Sequence, residues 1–105
     1  PNKYFNKLMS IIESNLSSTQ EWEVFQTNFD RIHENFFRNL RKKYPELSPS
    51  DLKLCALLRL NLDNKEIANM MNITIRGVET RRYRLRRKLN LSPTDNLTEF
   101  LIDFK

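Results

Sequence analysis

The chain has 105 residues, with one glycine, one cysteine and one histidine, and its 18 Lys and Arg against 13 Asp and Glu give a formal net charge of +5. So little glycine excludes hairpin-rich β folds, P-loops and dinucleotide-binding loops, which all need residues free of a Cβ. The single cysteine excludes an internal disulfide and a cysteine-rich zinc site, and no apolar run approaches the ~18 residues of a membrane span, so a cytoplasmic chain with no metal, no cofactor and no membrane contact is expected.

Apolar residues recur at helical spacing almost throughout, which predicts an all-α fold, a small bundle of about seven helices. Phe5, Leu8, Ile11, Ile12 and Leu16 form a first stripe over 3–17, suited to an upstream coiled coil or to docking near Trp22. Trp22, Phe25 and Phe29 set a second helix at 20–31, with Ser18 and Glu21 at capping-box spacing. Ile32, Phe36, Phe37 and Leu40 set a third at 33–43. The aromatics of 22–44 keep helical spacing, so they read as a buttressing core rather than a base-stacking surface. Pro45 forces Tyr44 away from helix and marks the expected boundary between a helical extension, 1–46, and a second unit, 47–105.

Ser48-Pro49 with Asp51 opens a fourth helix, 49–60, and Asp63 with Glu66 opens a fifth, 64–71. Thr74 caps a sixth, 75–90, and Ser92-Pro93 with Asp95 opens a seventh, 94–104. Asn61, Asn72 and Asn90 follow apolar runs and suit helix exits. Cys55 lies within an apolar run and reads as core. His33 has no companion ligand and reads as a surface or cap residue. No catalytic motif or acid/base pair is apparent, so no enzyme is expected.

The charge is concentrated. Residues 76–88, RGVETRRYRLRRK, hold seven cations and one carboxylate, a net of +6, while the other 92 residues sum to −1. On a helical wheel Val78, Leu85 and Leu89 face inward, and Arg76, Thr80, Tyr83 and Arg87 face outward, flanked by Glu79 and Arg84. Arg86 and Lys88 sit on the sides. Arg81 and Arg82 lie nearer the apolar face, with Glu66 the expected partner of Arg82. Like charges this dense repel one another, and phosphate would compensate them. Gly77 weakens the first turn by ~1 kcal/mol relative to alanine and reads as tolerated. A second basic run, Arg38, Arg41, Lys42 and Lys43, is expected to be balanced by Glu34 and Glu46 as a solvated face.

Residues 64–68, the turn Asn72-Ile73-Thr74 and the basic helix from Ile75 have helix-turn-helix spacing. Here Leu47-Ser48-Pro49, Asn64-Lys65-Glu66-Ile67-Ala68, Ile73-Thr74, Val78 and Arg87-Lys88-Leu89 resemble the LuxR/FixJ-type helix-turn-helix. Trp22-Glu23-Val24-Phe25, Tyr44-Pro45-Glu46-Leu47 and Arg82-Tyr83-Arg84-Leu85-Arg86 are similar to the flanks of this domain in bacterial regulators that carry tetratricopeptide or propeller sensors. The resemblance implies the output domain of a transcription regulator that binds double-stranded DNA sequence-specifically, with helix 75–90 in the major groove. It implies Glu79, Thr80 and Tyr83 as base readers and Lys65, Thr74, Arg76, Arg84, Arg87 and Lys88 as phosphate binders. RNA polymerase and a second copy of the chain are the further partners implied. The sequence departs from the family at Arg82, where an apolar residue is usual, and at Gly77. Glu79 repels phosphate unless it accepts from a cytosine amine or pairs with an arginine. A sigma-factor-like promoter module and a helical protein-interaction or oligomerisation module are the competing readings.

Overall fold

The computed structural model describes residues 19–105. The helix expected at 3–17 and the Ser18 cap lie outside the described residues. Six helices follow: α1 (Thr19–Ile32), α2 (Phe36–Lys43), α3 (Pro49–Arg59), α4 (Asn64–Met71), α5 (Ile75–Lys88) and α6 (Leu97–Asp103). The described residues contain no strand, as an all-α fold requires. None of these helices is long and apolar enough to cross a membrane.

Local chemistry sets most boundaries. At α3, Asp51 N–H donates to Ser48 Oγ at 3.1 Å, and Ser48 N–H donates to the Asp51 carboxylate at 2.9 Å. Asp63 and Glu66 exchange the same pair of bonds at the start of α4, at 2.8 and 2.9 Å. These reciprocal bonds satisfy N–H groups that the first helical turn leaves without partners. At the exits, Asn61, Asn72 and Asn90 adopt φ of 63°, 56° and 58°. Behind each, the next residue's N–H reaches back five positions: Leu62 to Leu57, Ile73 to Ala68 and Leu91 to Arg86. These are Schellman closures in which asparagine fills the left-handed position that glycine usually takes.

Two boundaries differ from expectation. The helix expected at 33–43 begins only at Phe36, because Glu34 and Asn35 turn the chain with φ of 54° and 64°. Asp30 fixes that turn: its Oδ1 accepts from Phe37 N–H at 2.7 Å, so the end of α1 caps α2. The last helix begins at Leu97 rather than 94. Ser92 Oγ meets Thr94 Oγ1 at 2.9 Å and Asp95 N–H donates to Ser92 O, closing a turn. Asn96 then caps α6, accepting from Glu99 N–H at 2.9 Å.

All six helices contribute to one core. α3 lies at its centre and packs against α6 and α5; α1 packs on α2, and α4 on α5. Phe25, Phe29, Phe36 and Phe37 are fully buried. Trp22 stands edge-on to Phe37 with centroids 5.3 Å apart, the offset geometry aromatic rings prefer. Contacts cross residues 46 and 47 freely: the Phe36 and Tyr44 rings lie 6.1 and 6.3 Å from Phe104. Cys55 is buried, and burial, then the Asp51 charge, pushes its thiol up, so it is a core residue and not a reactive one.

His33 is neither a surface residue nor a cap. It is half-buried and stacked on Phe29 at 4.0 Å, and Nδ1 accepts from Arg59 Nε at 3.1 Å. Burial first, then the Arg59 charge, lowers its pKa against the opposing pull of Asp30. Arg59 also donates to the carbonyls of Leu101 (2.6 Å) and Phe104 (3.0 Å) and lies 4.6 Å from the Phe36 ring. One guanidinium thus holds the end of α6 against α3 and the aromatic half.

Candidate nucleic-acid interface

α4 and α5 are joined by three residues, Asn72-Ile73-Thr74. Their packing buries Ile67 and Ala68 on α4 and Val78 and Leu85 on α5. Thr74 Oγ1 accepts from Gly77 N–H at 2.9 Å, which fixes where α5 starts. Gly77 is helical, and an added Cβ would lie 3.2 Å from that hydroxyl and 3.7 Å from Ile73. The equivalent third helical positions of α3 and α4 carry Asp51 and Glu66. Here the added carbon would be a tighter contact than most, and the Thr74 hydroxyl must give by a few tenths of an ångström to accept it.

The outward side of α5 carries Arg76, Glu79, Thr80, Tyr83, Arg84 and Arg87, all exposed. Tyr83 is 60% exposed. The Arg87 guanidinium sits 6.0 Å from its ring, within cation–π reach. Thr80 Oγ1 donates back to Arg76 O at 3.1 Å. Lys65, in the first turn of α4, and Thr74, at the cap of α5, are also exposed. Ile75, absent from the sequence-based candidates, is 49% exposed. It stands four residues before Glu79, and extending the wheel by one position would have placed it beside the outer stripe.

The other cations of α5 turn inward. Arg81 donates to Ser50 Oγ at the start of α3, and Arg82 Nη1 donates to Asn64 Oδ1 at the start of α4, at 3.3 Å. Arg86 donates to the Asp95 carbonyl, and Lys88 Nζ meets Asp51 Oδ2 at 2.6 Å. Glu66, the expected partner of Arg82, instead holds Asp63 N–H in its own capping box. The arginine goes two residues earlier, to Asn64. Burial, then the nearby Arg86 charge, lowers the Arg82 pKa. It remains a cation at neutral pH, because a guanidinium is not deprotonated in proteins. Burial pushes Asp51 up, but the hydrogen bonds from Lys88 and Ser48 and the Lys88 charge outweigh it and hold the carboxyl below its ordinary value.

These partners matter for the electrostatics. Ser50, Asn64 and the Asp95 carbonyl are neutral acceptors, so Arg81, Arg82 and Arg86 keep their charge while losing their freedom. Lys88 alone among the α5 cations is neutralised by a carboxylate within the described residues. Of the expected phosphate binders, Lys88 is therefore already engaged. Lys65, Arg76, Arg84 and Arg87 make no ion pair among the described residues.

The second basic run is the solvated face expected. Arg38, Arg41, Lys42 and Lys43 are exposed, and no ion pair joins them to Glu34 or Glu46. Arg41, Lys42 and Lys43 form the last turn of α2, where cations complement the negative end of the helix dipole.

No protein-family profile, curated protein or solved structure matches the chain.

Proposed function

We propose that α4, residues 72–74 and α5 act as a helix-turn-helix of the LuxR/FixJ type. In this reading the chain binds double-stranded DNA as the output domain of a bacterial transcription regulator, with α5 in the major groove. The observation that carries the proposal is the division of α5 into two faces. One is tied to α3, α4 and the loop after α5; the other presents Arg76, Arg84 and Arg87 to solvent with no compensating charge but Glu79. Phosphate oxygens supply the missing negative charge, with Lys65 and the capped start at Thr74 adding contacts beside them. Glu79, Thr80 and Tyr83 face the bases. A dimer on two half-sites raises affinity by effective concentration, and RNA polymerase is the downstream partner of such a regulator.

Fluorescence anisotropy with duplex DNA across a salt series tests this. With three to five phosphate contacts, a plot of log affinity against log salt should fall with a slope of roughly −3 to −5. A slope near zero, or no binding at low salt, sinks the proposal and favours an acidic protein partner for the same helix. A requirement for core RNA polymerase points instead to a promoter module.

A further inference from the structure

The first turn and a half of α5 presents hydrogen-bond acceptors and apolar atoms, with donors confined to the arginines. Glu79 is exposed and makes no ion pair with the arginines around it among the described residues. Its carboxylate is thus free, and as an anion it only accepts. Thr80 has spent its one hydroxyl proton on the Arg76 carbonyl. While that bond holds, its side chain offers lone pairs and a methyl group. Ile75 offers only carbon and is 49% exposed, with its burial against the scaffold left incomplete. Ile75 and Glu79 are one helical turn apart, with Cβ atoms roughly 5–6 Å from each other. That separation matches one to two steps of a DNA strand, at about 3.4 Å each.

The major-groove edges of the bases sort sharply against such a surface. Guanine shows two acceptors and has nothing to offer Glu79 or Thr80. Cytosine shows the N4 amine, a donor with no acceptor beside it on its own ring edge, whereas adenine sets its N6 amine beside the N7 acceptor, which repels a carboxylate; thymine shows the C5 methyl. We infer that Ile75 is a specificity-determining residue and that, with Glu79, it reads a pyrimidine step: Glu79 accepts from a cytosine N4 amine, and Ile75 packs on the methyl of a thymine one or two pairs away. This rests on the DNA-binding reading above and adds to it the base composition of the half-site.

Selection of bound duplexes from a randomised library, using the 105-residue chain at low salt, tests the inference. The bound pool should contain a cytosine within one or two pairs of a thymine on one strand. Glu79→Gln should replace the cytosine preference with adenine, since glutamine pairs with adenine N6 and N7, a change worth roughly 5- to 100-fold in relative affinity. Replacing that thymine by deoxyuridine, which lacks only the methyl, should weaken wild type several-fold and leave Ile75→Ala unchanged. Circular dichroism establishes that both variants remain helical. Salt-dependent binding with the same cytosine enrichment in Glu79→Gln, or with no thymine preference to lose, overturns the inference and leaves the DNA-binding reading intact. No binding at low salt overturns both.

Discussion

The two ends of the molecule are assembled by different forces. In α1 and α2, Phe25, Phe29, Phe36 and Phe37 are sealed from water and pack on one another in tilted and edge-on pairs, and the cations at the end of α2 stay exposed. In α4 and α5 fewer large side chains are buried, and polar ties do much of the positioning: two capped starts, two asparagine exits, and four cations reaching into neighbouring elements. Burial is non-directional and scales with area, so the aromatic half can supply stability without fixing any one orientation finely. Hydrogen bonds contribute less each but are strict about geometry. A helix that must present a defined face gains more from the second kind of contact.

Substitutions can break this contrast or sharpen it. The largest effect is expected for Phe29→Ala. It removes a fully buried ring at the centre of the aromatic cluster and should cost about 3–5 kcal/mol in denaturant unfolding. A loss below about 1 kcal/mol would mean that the rings are not the main support of this half. Next, Asp51→Ala deletes both a helix cap and the partner of Lys88 and should cost about 1–2 kcal/mol at neutral pH. The native carboxyl is held below its unfolded value, so its contribution is complete above about pH 4 and is lost as pH falls through the native titration. Wild type and variant should therefore converge in acid, and a gap independent of pH would remove the ionic part of this account. Gly77→Ala should raise stability by up to about 1 kcal/mol, a modest rise in thermal midpoint, provided the Thr74 cap accepts the added carbon. The smallest change in stability, within about 0.5 kcal/mol, is expected for Arg87→Ala. The same variant should reduce the salt slope of DNA binding by about one for every sequence tested. A stability loss as large as that of Asp51→Ala would show Arg87 to be part of the scaffold.

What the sequence made legible follows the range of the interaction. The capping boxes at Ser48 and Asp63, the asparagine exits and the inward and outward sides of α5 all depend on residues within a few positions of one another, and local spacing reveals them. The misjudged starts of α2 and α6 involve local competition that spacing alone leaves open. Asp30 reaches seven residues forward to Phe37, and Thr94 takes the Ser92 hydroxyl that a helix start would have used. The least legible feature was the division of labour among the cations. Arg81 and Lys88 find partners 31 and 37 residues away, at the start of α3, and only the folded chain brings those positions together. His33 was obscure for the same reason, since Arg59 lies 26 residues off.

The inward arginines have a mechanical consequence. Successive residues of an α-helix are about 100° apart around its axis, so a roll of that size would exchange the outward stripe for its neighbours. Arg81, Arg82 and Arg86 anchor α5 to three separate elements, and Val78, Leu85 and Leu89 seat it from below. Rolling the helix would break all three anchors together. The azimuth of Arg76, Thr80, Tyr83 and Arg87 is therefore set when the chain folds, so the backbone share of ordering this face has already been met, and only its exposed side chains keep rotamer freedom.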